Sequence, residues 1–297
     1  MTKTLGLRID VDTVAGAVHG LPVLSRMLRA RRLNGTLLLP GGEDRTARAA
    51  LRILVQPGYL AKLVKTSAFR IYGPSTLAGL FGIGPRRIID AGPVLKDMLS
   101  AGDEVAGHGL VHTTWHNCHH RTPPGEVERQ VTTAIANIEQ VLETRVAGFG
   151  APGWQAGFAC FHALDRLGLA WGSDTRGRHP FLPVLHGYRF RTPQVPTTLP
   201  TLDELPGGLP PRKADIVALC QAIDQQEWPV YTAHAELEGR FYPHVLEELL
   251  DFCAGRRIQV VTISGLLARY LETNRLEPGE VLQAPLFNRP GLVATQA

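Results

Sequence analysis

The sequence predicts an α/β protein, a distorted (β/α) barrel of about seven parallel strands. Two observations lead there. Strand-like and helix-like segments alternate almost from end to end, and alternating βα units require parallel strands joined by crossover helices. The most distinctive polar residues then fall at the ends of the first, third and penultimate strands, and a barrel gathers residues from distant strands on its C-terminal face. A length of 297 residues suits one such unit. No internal period of solenoid type appears.

The first strand is read over residues 4–12, an apolar run that ends in Asp10 and Asp12. A helix follows at 21–32, with Leu21, Leu24, Met27 and Leu28 at helical spacing. The second strand covers 35–39 and stops at Pro40-Gly41-Gly42. Residues 90–101 read as a helix, 103–108 as a strand and 126–143 as a long amphipathic helix with Val127, Val131, Ile135, Ile138 and Leu142 on one face. Further strands are expected at 146–150, 170–174, 195–198, 229–233 and 259–263, with helices at 157–167, 214–226, 242–254 and 264–272. The barrel is thus expected over residues 1–275, with a poorly ordered Pro- and Gly-rich tail at 276–297.

Residues 44–90 interrupt this rhythm, because they are long for a βα connection and mix arginines and lysines with Leu, Ile, Val and Phe. Two readings stand open: a helical insertion that pads the barrel, or an amphipathic patch for an anionic membrane face or a lipid.

Composition excludes several classes. A formal charge of +4 falls well short of the dense basic stripe of a nucleic-acid binder. The longest uncharged run, 71–85, is too short for a bilayer span and contains Pro74. Cys118, Cys160, Cys220 and Cys253 show no C-x-x-C spacing and are expected to be free thiols of a reducing compartment. No secretory signal pattern opens the sequence, so a cytosolic-side protein is expected.

Chemistry concentrates at three places. Aspartate is a poor strand residue, and Asp10 and Asp12, two apart, point to the same side of a strand. Two adjacent anions repel, so one needs a cation or a proton. His108 and His112 lie in Gly107-His108-Gly109-Leu110-Val111-His112, where the glycines argue against a helix and for a strand end followed by a tight loop. Alone, the pair is equally compatible with satisfied core histidines. His234 ends the apolar run Pro229-Val230-Tyr231-Thr232-Ala233. A carboxylate and two imidazoles can hold one divalent ion with positions left open, which is hydrolase chemistry.

This set resembles the polysaccharide deacetylase (NodB-like) superfamily, with its Asp-rich first strand, His-x-x-x-His pair and late histidine. Leu7-Arg8-Ile9-Asp10-Val11-Asp12-Thr13, Ser173-Asp174-Thr175-Arg176-Gly177, Pro193-Gln194-Val195-Pro196-Thr197-Thr198-Leu199-Pro200-Thr201 and Val230 to Gly239 are most similar to its deformylase branch, which acts on undecaprenyl-phosphate 4-deoxy-4-formamido-L-arabinose. The resemblance implies Asp10 as general base, Asp12, His108 and His112 as ligands of a divalent metal (zinc, manganese, cobalt or iron), and His234 as general acid. It implies a polyprenyl-phosphate-linked amino sugar as substrate, a peripheral place on the cytoplasmic face of a bacterial inner membrane, and a part in lipid A modification and resistance to cationic antimicrobials. A deacetylase of another N-acetylated sugar and a non-catalytic sugar-lipid binding protein are the alternatives. Trp154 is a candidate to pack on the sugar, Arg176 and Arg178 to meet the phosphate, and Glu236 and Glu238 to bind sugar hydroxyls or the product ammonium. One departure stands out: the arginine that many superfamily members carry before a Pro-x-Gly-type motif is absent from Gly148-Phe149-Gly150-Ala151-Pro152-Gly153-Trp154.

Overall fold

A computed structural model describes residues 2–46, 87–118, 121–286 and 291–297. Most of the 44–90 stretch lies outside the described residues, as do His119 and His120.

The barrel is built from β1 (Thr4–Asp10), β2 (Thr36–Leu39), β3 (Glu104–Gly107), β4 (Gly148–Phe149), β5 (Trp171–Gly172), β8 (Val230–His234) and β9 (Gln259–Val261). All pair in parallel, in the order β5-β4-β3-β2-β1-β8, and β9 joins the first half of β1. The sheet is the expected curled, parallel, seven-stranded one. The connecting helices are α1 (Leu21–Arg31), α2 (Gly92–Ser100), α3 (His112–Cys118), α4 (Pro124–Leu142), α5 (Phe158–Leu167), α6 (Lys213–Gln225), α7 (Pro243–Gly255) and α8 (Ile263–Leu271). Their apolar faces cover the outside of the sheet, as βα crossovers require.

The side chains of β1 explain why polar groups gather inside. Leu5, Leu7 and Ile9 point outward into the main core with the helices, all at most 1% exposed. Gly6, Arg8 and Asp10 point the other way, into the barrel. There Leu38, Ala106, Trp171, Val195 and Val230 form a smaller apolar cluster, with Ile263, Leu266 and Leu267 of α8 packed onto it. The interior is therefore apolar at the base and charged near the strand ends.

Two elements differ from expectation. Residues 195–198 form no barrel strand, and run instead as an extended segment with single bridges, Gly172 to Gln194 and Arg176 to Thr197. Pro193 and Pro196 lack N–H donors, which prevents a continuous ladder. The stretch 276–297, expected to be poorly ordered, contains β10 (Pro278–Pro285) and β11 (Leu292–Gln296). They form a four-stranded sheet with β6 (Leu182–Leu185) and β7 (Tyr188–Arg189), in the order β11-β10-β6-β7. Backbone pairing holds this segment: β11 also bonds Arg176, whose N–H donates to Ala294 O at 2.8 Å and whose carbonyl accepts from Gln296 N at 2.8 Å.

Candidate metal centre and active site

The strand ends converge on one face. Asp10 ends β1 and lies opposite Leu38 on one side and His234 on the other. His108 follows β3 directly, its N–H donating to Leu39 O at 2.9 Å. Gly109 then adopts φ +74°, a conformation open to glycine without strain. The chain turns there, and His112, which begins α3 instead of lying in a loop, stands beside His108 with ring centroids 5.3 Å apart.

Asp12, His108 and His112 present ligand atoms within 4.8 Å of one another. His108 Nε2 and His112 Nε2 each lie 3.3 Å from Asp12 Oδ1. The His108 tautomer follows from its other nitrogen: Nδ1 sits 2.6 Å from Gly150 O, an acceptor, so Nδ1 carries the hydrogen and Nε2 of the neutral ring presents a lone pair. Asp12 Oδ1 is buried and has no hydrogen-bond partner. A carboxylate oxygen and imidazole lone pairs aimed at one point repel unless a cation stands between them, so this donor set fits a divalent metal. Burial works against the Asp12 charge, and positive charge at the point where His112 and His108 converge outweighs it and holds the carboxyl below its ordinary range.

Asp10 is close but differently held. Its Oδ2 is 3.6 Å from His108 Nε2, while the guanidinium of Arg8 donates Nε–H to Oδ1 at 2.6 Å and Nη2–H to Oδ2 at 2.8 Å. Here too burial raises the pKa, and the Arg8 guanidinium above all brings it below the ordinary range. Arg8 went unassigned in the sequence. Its signal was present, a charged residue inside an apolar strand and two residues from Asp10.

His234 borders the same site. Burial disfavours its charge, yet Asp12, Asp203, Asp10 and Glu238 outweigh that and hold it above its ordinary value of 6.5. Its Nδ1 is buried and has no hydrogen-bond partner. A depression opens on Asp12 and His112, lined also by Pro40, Asp44, Arg45 and Ile88.

The structure brings Asp10, Asp12, His108, His112 and His234 together, and puts most of the expected substrate contacts elsewhere. Trp154 is 1% exposed, with the guanidiniums of Arg176 and Arg8 at 4.7 Å and 5.4 Å from its ring. Its indole N–H donates to Thr197 Oγ1 at 3.2 Å, so its faces are not offered to a sugar. Arg176 is paired internally, Nη1 to Glu204 Oε2 at 3.0 Å and Nη2 to Leu199 O at 2.8 Å. Arg178 donates to the Ala297 carbonyl at 2.6 Å. Glu238 is fully buried, accepting from Tyr231 OH at 2.5 Å and from His234 N at 2.8 Å. It anchors the strand end and faces no solvent. Glu236 Oε1 accepts from Asp12 N at 3.1 Å and from Thr13 N and Oγ1 at 2.8 Å each, so it fixes the turn that carries Asp12. Burial, then the nearby Asp12 charge, pushes the Glu236 carboxyl up to about 8.

No family profile matches the chain. Among curated proteins it is 28% identical over 298 residues to the "Probable 4-deoxy-4-formamido-L-arabinose-phosphoundecaprenol deformylase" of Shewanella sediminis, covering 99% of the chain and 94% of that protein. The protein of the same name from Wigglesworthia glossinidia brevipalpis is 25% identical over 265 residues, 86% of the chain and 90% of that protein. Among solved structures, a "putative polysaccharide deacetylase" from Mycobacterium smegmatis superposes with a TM-score of 0.63 at 18% identity, covering 96% of each chain. An allantoinase superposes with a TM-score of 0.59 at 12% identity, over 91% of each. The fold is therefore that of the NodB-like polysaccharide deacetylases, and over most of its length the sequence is similar to two proteins named as probable 4-deoxy-4-formamido-L-arabinose-phosphoundecaprenol deformylases.

Proposed function

We propose that the chain is a metal-dependent amide hydrolase that removes the formyl group from undecaprenyl-phosphate 4-deoxy-4-formamido-L-arabinose, a step of lipid A modification. One observation carries the chemistry: a buried carboxylate oxygen without a donor, faced by two imidazole nitrogens at 3.3 Å. The likeness to two deformylases over most of the chain carries the substrate.

A formamide is a neutral, resonance-stabilised electrophile with a poor leaving group. Its hydrolysis needs an activated water, stabilisation of the carbonyl oxygen and a proton for the departing nitrogen. Asp12, His108 and His112 would hold the ion. A bound divalent ion supplies Lewis acidity, which eases ionisation of water and polarises a carbonyl. Asp10, kept ionised by Arg8, takes the proton from the attacking water. His234 stands opposite it on the paired strand, is charged more readily than an ordinary histidine, and gives a proton to the nitrogen as the C–N bond breaks. Glu236 and Glu238 act through these groups, one holding the Asp12 turn and the other the His234 backbone.

The lipid substrate fits a peripheral place on the cytoplasmic face of the inner membrane. Among the described residues no helix is long and apolar enough to cross a membrane. The direct test is mass spectrometry of the formamido-sugar lipid after incubation with purified protein, with and without chelator. Formate release that stops with chelator is expected. Acetate release from N-acetylated sugars without formate would replace this reading with a deacetylase.

A further inference from the structure

β1 and the turn after it send Arg8, Asp10 and Asp12 toward the same pocket, and two carboxylates there need separate compensation. Their surroundings differ sharply. Asp10 receives both arms of the Arg8 guanidinium, at 2.6 and 2.8 Å, whereas Asp12 Oδ1 receives no donor and faces His108 and His112. Arg8 is fully buried and fixed from behind, with Nη1 donating to Ser173 O at 2.5 Å and to Ser173 Oγ at 3.2 Å. Its guanidinium also lies 5.4 Å from the Trp154 ring. Gly150 leaves the room, because a Cβ there would come within 3.1 Å of Arg8 Nη1 and 2.3 Å of Leu38 Cδ2. Gly150, in the stretch 148–154, is thus packed against Arg8.

We propose that Arg8 is a positioning residue that sorts the two aspartates: its fork occupies both oxygens of Asp10, withholds that carboxylate from the cation, and leaves Asp12 as the one anionic ligand. Arg8 and Asp10 cancel in charge. Asp12 and two neutral imidazoles keep one negative charge, which suits a divalent ion with open positions. A lysine would not serve, because an ammonium is a point charge and cannot hold both oxygens in one plane. The proposal rests on the metal-site reading above.

Cobalt(II) tests it, because its visible absorption reports coordination number and ligand set. The parent chain, Arg8→Met, Arg8→Lys and Asp10→Asn are titrated with Co(II), alongside steady-state kinetics. In Arg8→Met, Asp10 turns to the ion: the absorption weakens at least about twofold, Co(II) affinity tightens about tenfold, and kcat falls at least about 100-fold while KM stays within about threefold. Arg8→Lys gives a smaller change in the same directions, and serves if the methionine variant does not fold. In the Asp10→Asn background, Arg8→Met alters the spectrum no further. A parent chain that binds no Co(II) overturns the metal site and this proposal together. A parent that binds Co(II), with spectrum and kcat unmoved in Arg8→Met, or in Arg8→Lys if only that variant folds, overturns the role of Arg8 and leaves the metal site standing.

Discussion

Replacing Tyr231 by phenylalanine removes one oxygen from the buried layer between the sheet and its helices and tests how His234 is held. Tyr231 is fully buried on β8, and its hydroxyl donates to Glu238 Oε1 at 2.5 Å, while Glu238 Oε2 accepts from His234 N at 2.8 Å. Burial raises the Glu238 pKa, and the Tyr231 hydroxyl and the His234 N–H are among the groups that oppose that rise. Phenylalanine keeps the ring volume and leaves no large cavity, so the cost is that of a buried carboxylate short of one donor. A hydrogen bond to a charged group is worth roughly 1.5–3 kcal/mol, and a loss of about 2 kcal/mol is expected. For a chain of this size that lowers Tm by about 4 °C. Urea unfolding followed by circular dichroism measures the change directly. Because Glu238 also fixes the His234 backbone, kcat should fall by about tenfold through misplacement of the imidazole. Metal affinity should not change, since Asp12, His108 and His112 come from other elements. A loss below about 0.5 kcal/mol would show that the Tyr231–Glu238 contact carries no net stability, and the account of how His234 is positioned would fail.

Asp12→Asn keeps the shape of the ligand but removes the negative charge of the site; divalent-metal affinity measured by calorimetry should weaken at least about 100-fold, and an unchanged affinity would place the ion elsewhere. His234 is held above 6.5, so the protonated acid persists to higher pH than in an ordinary histidine and kcat/KM should fall as pH rises through its native pKa. The same shift gives a stability contribution that is full below about 6.5 and lost as pH rises through the native value. In His234→Gln that alkaline limb should disappear from the pH–rate profile, and its persistence would assign it to another group.

The parts of the fold that could be read from sequence were those written in local periodicity. β1 announced itself by an apolar run broken by Asp10 and Asp12, and α4 by Val127, Val131, Ile135, Ile138 and Leu142 on one face. The His pair was legible because Gly107 and Gly109 excluded a helix through His108, although His112 then starts one. The substrate contacts were not legible. Whether Trp154 faces outward depends on Arg8 and Arg176, and the inward turn of Arg176 depends on Glu204, 28 residues later. No local pattern encodes such pairings. β10 was missed because Val281 is its one fully buried side chain and Pro278, Gly279 and Pro285 punctuate it, so it reads as loop. Its strand character comes from partners more than ninety residues earlier: Pro278, Gly279 and Glu280 pair with Leu182, Pro183 and Val184.

That distant pairing makes the carboxyl-terminal segment a brace for the polar interior. β11 holds both backbone groups of Arg176, and Gln296 Oε1 accepts from Arg178 N at 2.8 Å. Arg176 in turn stacks on Trp154, whose other guanidinium neighbour is Arg8. Removing residues 292–297 would therefore loosen a chain of contacts that reaches Asp10.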